Sequence, residues 1–89
     1  MEKYYTYVLV SQKDNHFYIG YTSNLWARME THAKGLVTST KYRRPFKLVY
    51  YEVCFNKESA LKREKYLKTT YGHRYLRNRI IDLDKGINI

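Results

Sequence analysis

One acidic residue, Glu64, lies on the apolar face of a predicted helix. Ala60, Leu61 and Leu67 share that face, because residues at positions i, i+1, i+4 and i+7 lie together along a helix. A carboxylate in such a place loses hydration, and a nearby cation must offset this loss. Two interpretations remain open: Glu64 binds a metal ion, or it forms a salt bridge with a nearby arginine.

A second pair of residues, Arg28 and His32, could bind phosphate. They are four residues apart, so they lie on one face of a predicted helix, beside Leu25 and Met29. The planar guanidinium of arginine is suited to bidentate contacts with phosphate oxygens. The pattern fits a catalytic phosphate site and a plain phosphate-binding surface equally well.

Gly20 breaks the pattern of a predicted strand that begins at Phe17. A glycine inside a strand often marks a bulge or a close approach by another part of the chain. Taken alone, this signal is weak.

The surrounding pattern predicts an α/β fold in the order ββαβαα, with a small three-stranded antiparallel sheet flanked by helices. β-Branched and aromatic runs predict strands at 3–10, 17–21 and 46–55, the first two joined as a hairpin through a polar turn. Capping residues and apolar spacing predict helices over about 25–34, 57–70 and 73–83. Gly35 is expected to end the first helix, and Gly72 to separate the other two.

Length and charge narrow the class of protein. The 89 residues are expected to form one domain, 1–89, and 17 Lys and Arg against 8 Asp and Glu give a net charge of +9. Such an excess favours a polyanionic partner, and tyrosines interleaved with basic residues suit nucleic acid. A solvated basic surface with tyrosines packed in the core is the alternative. The residues expected to contact nucleic acid are Lys41, Arg43, Arg44, Lys62, Arg63 and Lys68.

Other classes of protein and site are disfavoured. No apolar run approaches the roughly 20 residues of a membrane span, and no signal peptide is recognisable at the N-terminus. The lone Cys54 excludes an intramolecular disulfide and fits a reducing cytoplasm. The histidines lack zinc-ligand spacing, and neither a glycine-rich phosphate loop nor a nucleophile elbow is present.

The ordered set of these residues resembles the GIY-YIG nuclease superfamily, in particular its small stand-alone bacterial members. Tyr5-Thr6-Tyr7 and Tyr18-Ile19-Gly20 resemble the paired motifs, although Tyr5 and Thr6 stand where the family has glycine and isoleucine. Arg28, His32 and Glu64 follow at matching positions, and the segment 40–52 also resembles those members. The resemblance covers nearly the entire chain.

The resemblance implies a metal-dependent endonuclease. Because the first hairpin and two helices carry Tyr7, Tyr18, Arg28 and Glu64 between them, we expect these four residues to meet in a shallow concave patch at the sheet edge. Glu64 would bind one Mg²⁺ or Mn²⁺ that stabilises the leaving 3′ oxygen, and Arg28 would hold the scissile phosphate. Tyr18 would assist the attacking water or accept its proton, with Tyr7 positioning it and His32 orienting a tyrosine or the phosphate. The expected substrate is structured or damaged DNA rather than RNA, and the expected state is a monomer or a weak dimer.

Two other functions remain open. The chain could be a non-catalytic nucleic-acid-binding module that retains the fold and the basic face, or a basic protein that bridges partners through its tyrosine-rich surface. Glu64 distinguishes them from a nuclease, because a binding module has no divalent-dependent cleavage to lose when this residue is replaced.

Overall fold

The computed structural model describes all residues, 1–89, as a four-stranded antiparallel sheet with three helices. The elements in chain order are β1 (Tyr4–Ser11), β2 (Phe17–Thr22), α1 (Leu25–Ala33), β3 (Phe46–Cys54), α2 (Lys57–Leu67), α3 (Thr70–Arg79) and β4 (Ile87–Asn88). The predicted order ββαβαα is confirmed as far as α3.

The sheet has the strand order β2-β1-β3-β4, so β2 is an edge strand. The prediction of three strands was wrong by one, because β4 pairs with Lys47 and Leu48 of β3. A strand of two residues carries too little alternation to stand out in a sequence, and only its pairing with β3 defines it.

The second and third helices meet earlier than the sequence pattern predicts. The second ends at Leu67 rather than near 70, and the third spans Thr70–Arg79 rather than 73–83. The Thr69 side chain caps the third helix by accepting a hydrogen bond from the backbone N–H of Gly72. Gly72 therefore lies inside the helix, where a Cβ atom would clash with the Tyr66 carbonyl oxygen. Close packing between helices, not a break in one, explains this glycine.

Alternation along β1 divides the core into two layers. Tyr7 and Leu9 pack with Leu25 and Met29 of α1 on one face of the sheet. Val8 packs on the other face with Leu67 of α2 and with residues of α3. Helix α1 therefore covers one face of the sheet, and α2 and α3 cover the other.

The first helix begins and ends as predicted. Asn24 caps its N-terminus by accepting a hydrogen bond from the Ala27 N–H, and Gly35, with φ of +75°, follows its C-terminus. Its buried residues, Leu25, Met29 and His32, share one side of the helix, so His32 faces the sheet.

Candidate active site

Tyr7 is the buried centre of the candidate site. Its side chain is completely inaccessible to solvent, and it pairs across the sheet with Gly20 of the edge strand. A Cβ atom on Gly20 would lie 2.6 Å from the Tyr7 hydroxyl oxygen. Gly20 therefore marks a close approach, one of the two interpretations that the sequence allowed, because the tyrosine lies over it.

His32 holds the Tyr7 hydroxyl from the α1 side. Its Nε2 atom lies 2.7 Å from the Tyr7 hydroxyl oxygen, and its Nδ1 atom lies 2.9 Å from Oγ1 of Thr40. All three side chains are fully buried. Sequence reasoning missed Thr40, because it lies in an irregular loop where no periodicity distinguishes a buried threonine from its exposed neighbours.

The second tyrosine, Tyr18, packs against the first. Its ring centroid lies 5.2 Å from that of His32 and 6.4 Å from that of Tyr7. Tyr18 is only half-buried, so it is the more accessible member of the pair. The two rings and the imidazole form one aromatic cluster on the α1 face.

The hydroxyl groups of both tyrosines favour the charged form of Arg28. The Tyr7 hydroxyl is the main cause of a raised Arg28 pKa, with Tyr18 contributing. No carboxylate forms a salt bridge with this guanidinium, although four other pairs of charged side chains do so elsewhere in the chain. Arg28 is therefore a half-buried positive charge without an anionic partner.

Burial keeps Tyr7 and His32 neutral at physiological pH. It raises the pKa of Tyr7 to about 12, against the opposing effect of the Arg28 charge. It also lowers the pKa of His32 to about 4, and the positive charge of Arg28 adds to this effect. The Tyr7 hydroxyl is thus protonated, and the imidazole carries one proton rather than two.

Glu64 belongs to α2, which covers the face of the sheet opposite α1. Its carboxylate is only 21% exposed, and its negative charge contributes to the raised pKa of Tyr7. The salt bridge to an arginine that the sequence left open is absent. Glu64 instead lies 3.6 Å from the exposed ammonium group of Lys68, while the neighbouring Arg63 pairs with Glu52. Glu64 forms no hydrogen bond or salt bridge with Tyr7, Tyr18 or Arg28.

A groove of about 370 Å³ opens beside Arg28. Arg28 and Lys57 supply its positive charge, and Glu2 contributes a negative one. Tyr4 and Tyr21 line it as well, whereas Tyr7, Tyr18 and Glu64 do not. Of the predicted site residues, this groove contains only Arg28. Lys57 was also missed, since a lysine at the start of a helix is an ordinary surface residue.

Three of the basic residues expected to contact nucleic acid already have partners within the protein. Arg43 forms a salt bridge of 2.8 Å with Asp14, and Arg44 donates to the carbonyl oxygens of Lys41 and Ala33. Arg63 pairs with Glu52 at 2.6 Å. Lys41 lies over the ring of Tyr42, Lys62 is exposed and Lys68 lies near Glu64. The lysines are therefore freer than the arginines to contact phosphates.

Glu64 is the residue that could hold a divalent cation. Nowhere in the chain do three or more histidine, cysteine or acidic side chains meet, so a closed protein cage is not available. Mg²⁺ is often bound by one or two carboxylates together with water and substrate phosphates. A single half-buried carboxylate, paired only loosely with a lysine, fits that kind of site.

Comparisons with known proteins identify the family of this chain. The family model of the GIY-YIG catalytic domain matches residues 3–78. A UPF0213 protein of Staphylococcus haemolyticus is 47% identical over 70 residues, which cover 78% of this chain and 84% of that protein. A UPF0213 protein of Limosilactobacillus reuteri is 44% identical, over 75% of this chain and 72% of the relative.

A solved structure shows the same fold. The UPF0213 protein BH0048 of Bacillus halodurans, determined by NMR in solution, has a TM-score of 0.54 and 32% sequence identity. The similarity covers 85% of this chain and 83% of that one. None of the helices is long and apolar enough to cross a lipid bilayer.

The match of the family model to residues 3–78 shows that the chain belongs to the GIY-YIG catalytic domain family, a family of nucleases.

Proposed function

We propose that this protein is a metal-dependent endonuclease that hydrolyses phosphodiester bonds in structured or damaged DNA in the cytoplasm. The observation that carries the proposal is the unpaired, half-buried charge of Arg28 beside two tyrosine hydroxyls. The guanidinium has no carboxylate partner, so a bound anion would supply the missing counter-charge. The family supports nucleic acid as that anion.

Arg28 is assigned to the scissile phosphate. Its guanidinium can donate two parallel hydrogen bonds to phosphate oxygens and offset the negative charge that grows on them in the transition state. The hydroxyl groups of Tyr7 and Tyr18 raise the pKa of Arg28, so the guanidinium stays charged. The adjoining groove, with Lys57 on its wall, offers a path for the flanking part of the strand.

The two tyrosines are assigned to the attacking water. Tyr18 is the more accessible of the two, so it can contact this water and take part in removing its proton. Tyr7 is fully buried and its pKa is raised to about 12, which suits a group that positions its neighbours while staying protonated. His32 orients Tyr7 through the hydrogen bond of 2.7 Å.

Glu64 is assigned to a Mg²⁺ or Mn²⁺ ion. When bound, such an ion supplies positive charge that stabilises the leaving 3′ oxygen. The proposed residues all belong to one chain, so one monomer would cut one strand at a time, with at most weak dimerisation. The catalytic unit is proposed to span residues 1–89.

Cleavage assays test this proposal. The full chain is incubated with labelled single-stranded, duplex, flapped and branched DNA and with matched RNA, with Mg²⁺, with Mn²⁺ or with a chelator. We expect cleavage of at least one DNA substrate that depends on the divalent ion. Glu64→Gln should abolish cleavage but retain binding, whereas the exposed Glu58→Gln on the same helix should behave like the wild type.

Three outcomes would contradict the proposal in whole or in part. Tight binding of every nucleic acid without divalent-dependent cleavage would favour the non-catalytic binding module. Cleavage that survives in the Glu64→Gln variant would remove Glu64 from the site. Preferential cleavage of RNA would leave the nuclease assignment intact and overturn the assignment of DNA.

A further inference from the structure

The contact between Tyr7 and His32 continues to Thr40, the first residue of the segment 40–52, to which the sequence pattern assigns no role. Oγ1 of Thr40 lies 2.9 Å from Nδ1 of His32 and 3.4 Å from the carbonyl oxygen of Val37. Thr40 is fully buried, although it lies in a loop, and its hydroxyl group has no other contact of this kind. A buried series of hydrogen bonds between side chains thus runs from Tyr7 through His32 to Thr40.

The groups at the two ends of this hydrogen-bond series indicate which atom donates in each bond. At one end, the guanidinium of Arg28 interacts with the Tyr7 hydroxyl and can only donate. At the other end, the carbonyl oxygen of Val37 can only accept. In the consistent arrangement, the Tyr7 hydroxyl donates to Nε2 of His32, and Nδ1–H of His32 donates to the Thr40 hydroxyl oxygen. The Thr40 hydroxyl then donates to the Val37 carbonyl oxygen.

The reverse direction leaves a proton without a partner. If Thr40 donated to Nδ1, then Nε2 of His32 would carry the hydrogen and donate to the Tyr7 oxygen. The Tyr7 hydroxyl hydrogen would then need another acceptor, and its remaining neighbour Arg28 offers none. Buried donors in folded proteins are nearly always satisfied, so the first direction is the favoured one.

We propose that Thr40 is a positioning residue that holds His32 as the Nδ1–H tautomer, so that the Tyr7 hydroxyl donates to Nε2. The lone pairs of the Tyr7 oxygen then face Arg28, and the phosphate-binding guanidinium is held by an acceptor. The functional part of this inference rests on the proposed nuclease activity. The tautomer itself does not.

The lowered pKa of His32, about 4, supports this arrangement, because the imidazole is neutral at pH 7 and has one nitrogen free to accept. Without the threonine hydroxyl, Nδ1–H would lose its acceptor and the imidazole would favour Nε2–H. Both His32 and Arg28 would then donate to the same tyrosine oxygen, and the guanidinium would lose its fixed position.

Nitrogen-15 NMR of the imidazole side chains tests the tautomer directly. In the labelled full chain at pH 7, long-range proton–nitrogen correlations should show a neutral His32 with the hydrogen on Nδ1. Thr40→Val, which removes only the hydroxyl, should move the hydrogen towards Nε2. Thr40→Ser should retain the wild-type pattern, as should Thr38→Val at an exposed threonine of the same loop.

A wild-type His32 that carries its hydrogen on Nε2, or that is doubly protonated, would overturn the proposal. This measurement needs no variant, so it decides the question even if Thr40→Val does not fold. An unchanged tautomer in a folded Thr40→Val variant would overturn the proposal as well.

Cleavage kinetics test the functional consequence. We expect Thr40→Val to lower kcat by up to about 100-fold, with little change in KM, because a small displacement of a positioned group can cost that much. Thr40→Ser should restore kcat, and Thr38→Val should not change it. Wild-type kcat in Thr40→Val would overturn the positioning role. Failure of the wild type to cleave any substrate would instead contradict the nuclease activity, while the NMR result would still stand.

Discussion

Two clusters in this protein contain the same kinds of residue in opposite arrangements. The site cluster, which is defined by the proposed function and not by mutual contact, consists of Tyr7, Tyr18, Arg28 and Glu64. The Tyr50 cluster consists of Tyr50, Tyr75, Arg63 and Glu52. Each has two tyrosines, one arginine and one glutamate.

The Tyr50 cluster satisfies its own charges. Arg63 donates to Glu52 at 2.6 Å and packs over the ring of Tyr75, and the hydroxyls of Tyr50 and Tyr75 lie 3.0 Å apart. Burial and the Tyr75 hydroxyl raise the pKa of Tyr50. Every group has a partner within the cluster, so no charge is left for a ligand.

The site cluster keeps its opposite charges apart. Arg28 has no carboxylate partner, and Glu64 has only a lysine at 3.6 Å. The comparison shows that the same residue types do not by themselves produce a ligand-binding site. A site arises where the fold prevents an arginine and a glutamate from neutralising each other, so that a phosphate and a cation can do so instead.

The largest expected difference between the clusters is in catalysis. Arg28→Ala should lower cleavage by about 10²–10³-fold, because it removes a donor that offsets charge in the transition state. Arg63→Ala should leave the cleavage rate of the folded protein unchanged. Single-turnover cleavage assays on both variants check this, and equal losses in both would break the distinction between the clusters.

The pH dependence of stability should report on His32 beside the site cluster. The pKa of His32 is about 4 in the folded protein and near 6.5 in the unfolded chain, so the unfolded chain binds the proton first as pH falls. The contribution of neutral His32 to the free energy of unfolding should therefore be complete above about pH 6.5. As the pH falls towards 4, the free energy of unfolding should decrease by about 2–3 kcal/mol.

Urea unfolding between pH 4 and pH 7 checks this prediction. His32→Gln should flatten the dependence in that range, whereas replacement of the exposed His16 should not. A steep dependence that persists without His32 would mean that other groups cause it.

Neutralising the two glutamates should affect stability in different ways. Glu52→Gln breaks a partly buried ion pair and should cost about 1–2 kcal/mol. Glu64→Gln removes a poorly compensated carboxylate, so stability in a chelator should stay level or rise by about 0–2 kcal/mol. Thermal or urea unfolding of both variants decides this, and a clear loss for Glu64→Gln with cleavage intact would make Glu64 structural.

The smallest effect concerns the salt dependence of nucleic-acid binding. About five phosphate contacts would give a slope near −4 to −5 for the logarithm of affinity against the logarithm of salt concentration on duplex DNA. Lys57→Gln in the groove should make the slope shallower by about 1, whereas Arg63→Gln should change it little. Fluorescence anisotropy titrations measure both, and affinity independent of salt would mean that the charge does not serve phosphate contacts.

Part of this protein could be predicted from its residues alone. The family, the order of the elements, the capping of α1 by Asn24 and its end at Gly35 all follow from local patterns. So does the anomaly of Glu64, since one acid on an apolar helical face stands out without any structure. These features depend on residues near one another in the chain, and local spacing records them.

The tertiary structure decided which of the many charged and aromatic residues are free. Arg28 and Arg63 look alike in the sequence, yet only Arg63 meets a carboxylate, because β3 brings Glu52 beside α2. Thr40 is buried against His32 only because the loop after α1 folds back onto the helix. Such pairings join residues from different elements, and their energy depends on distance and burial. Sequence spacing carries neither, so the fold alone determines where charge is neutralised and where it is left for a ligand.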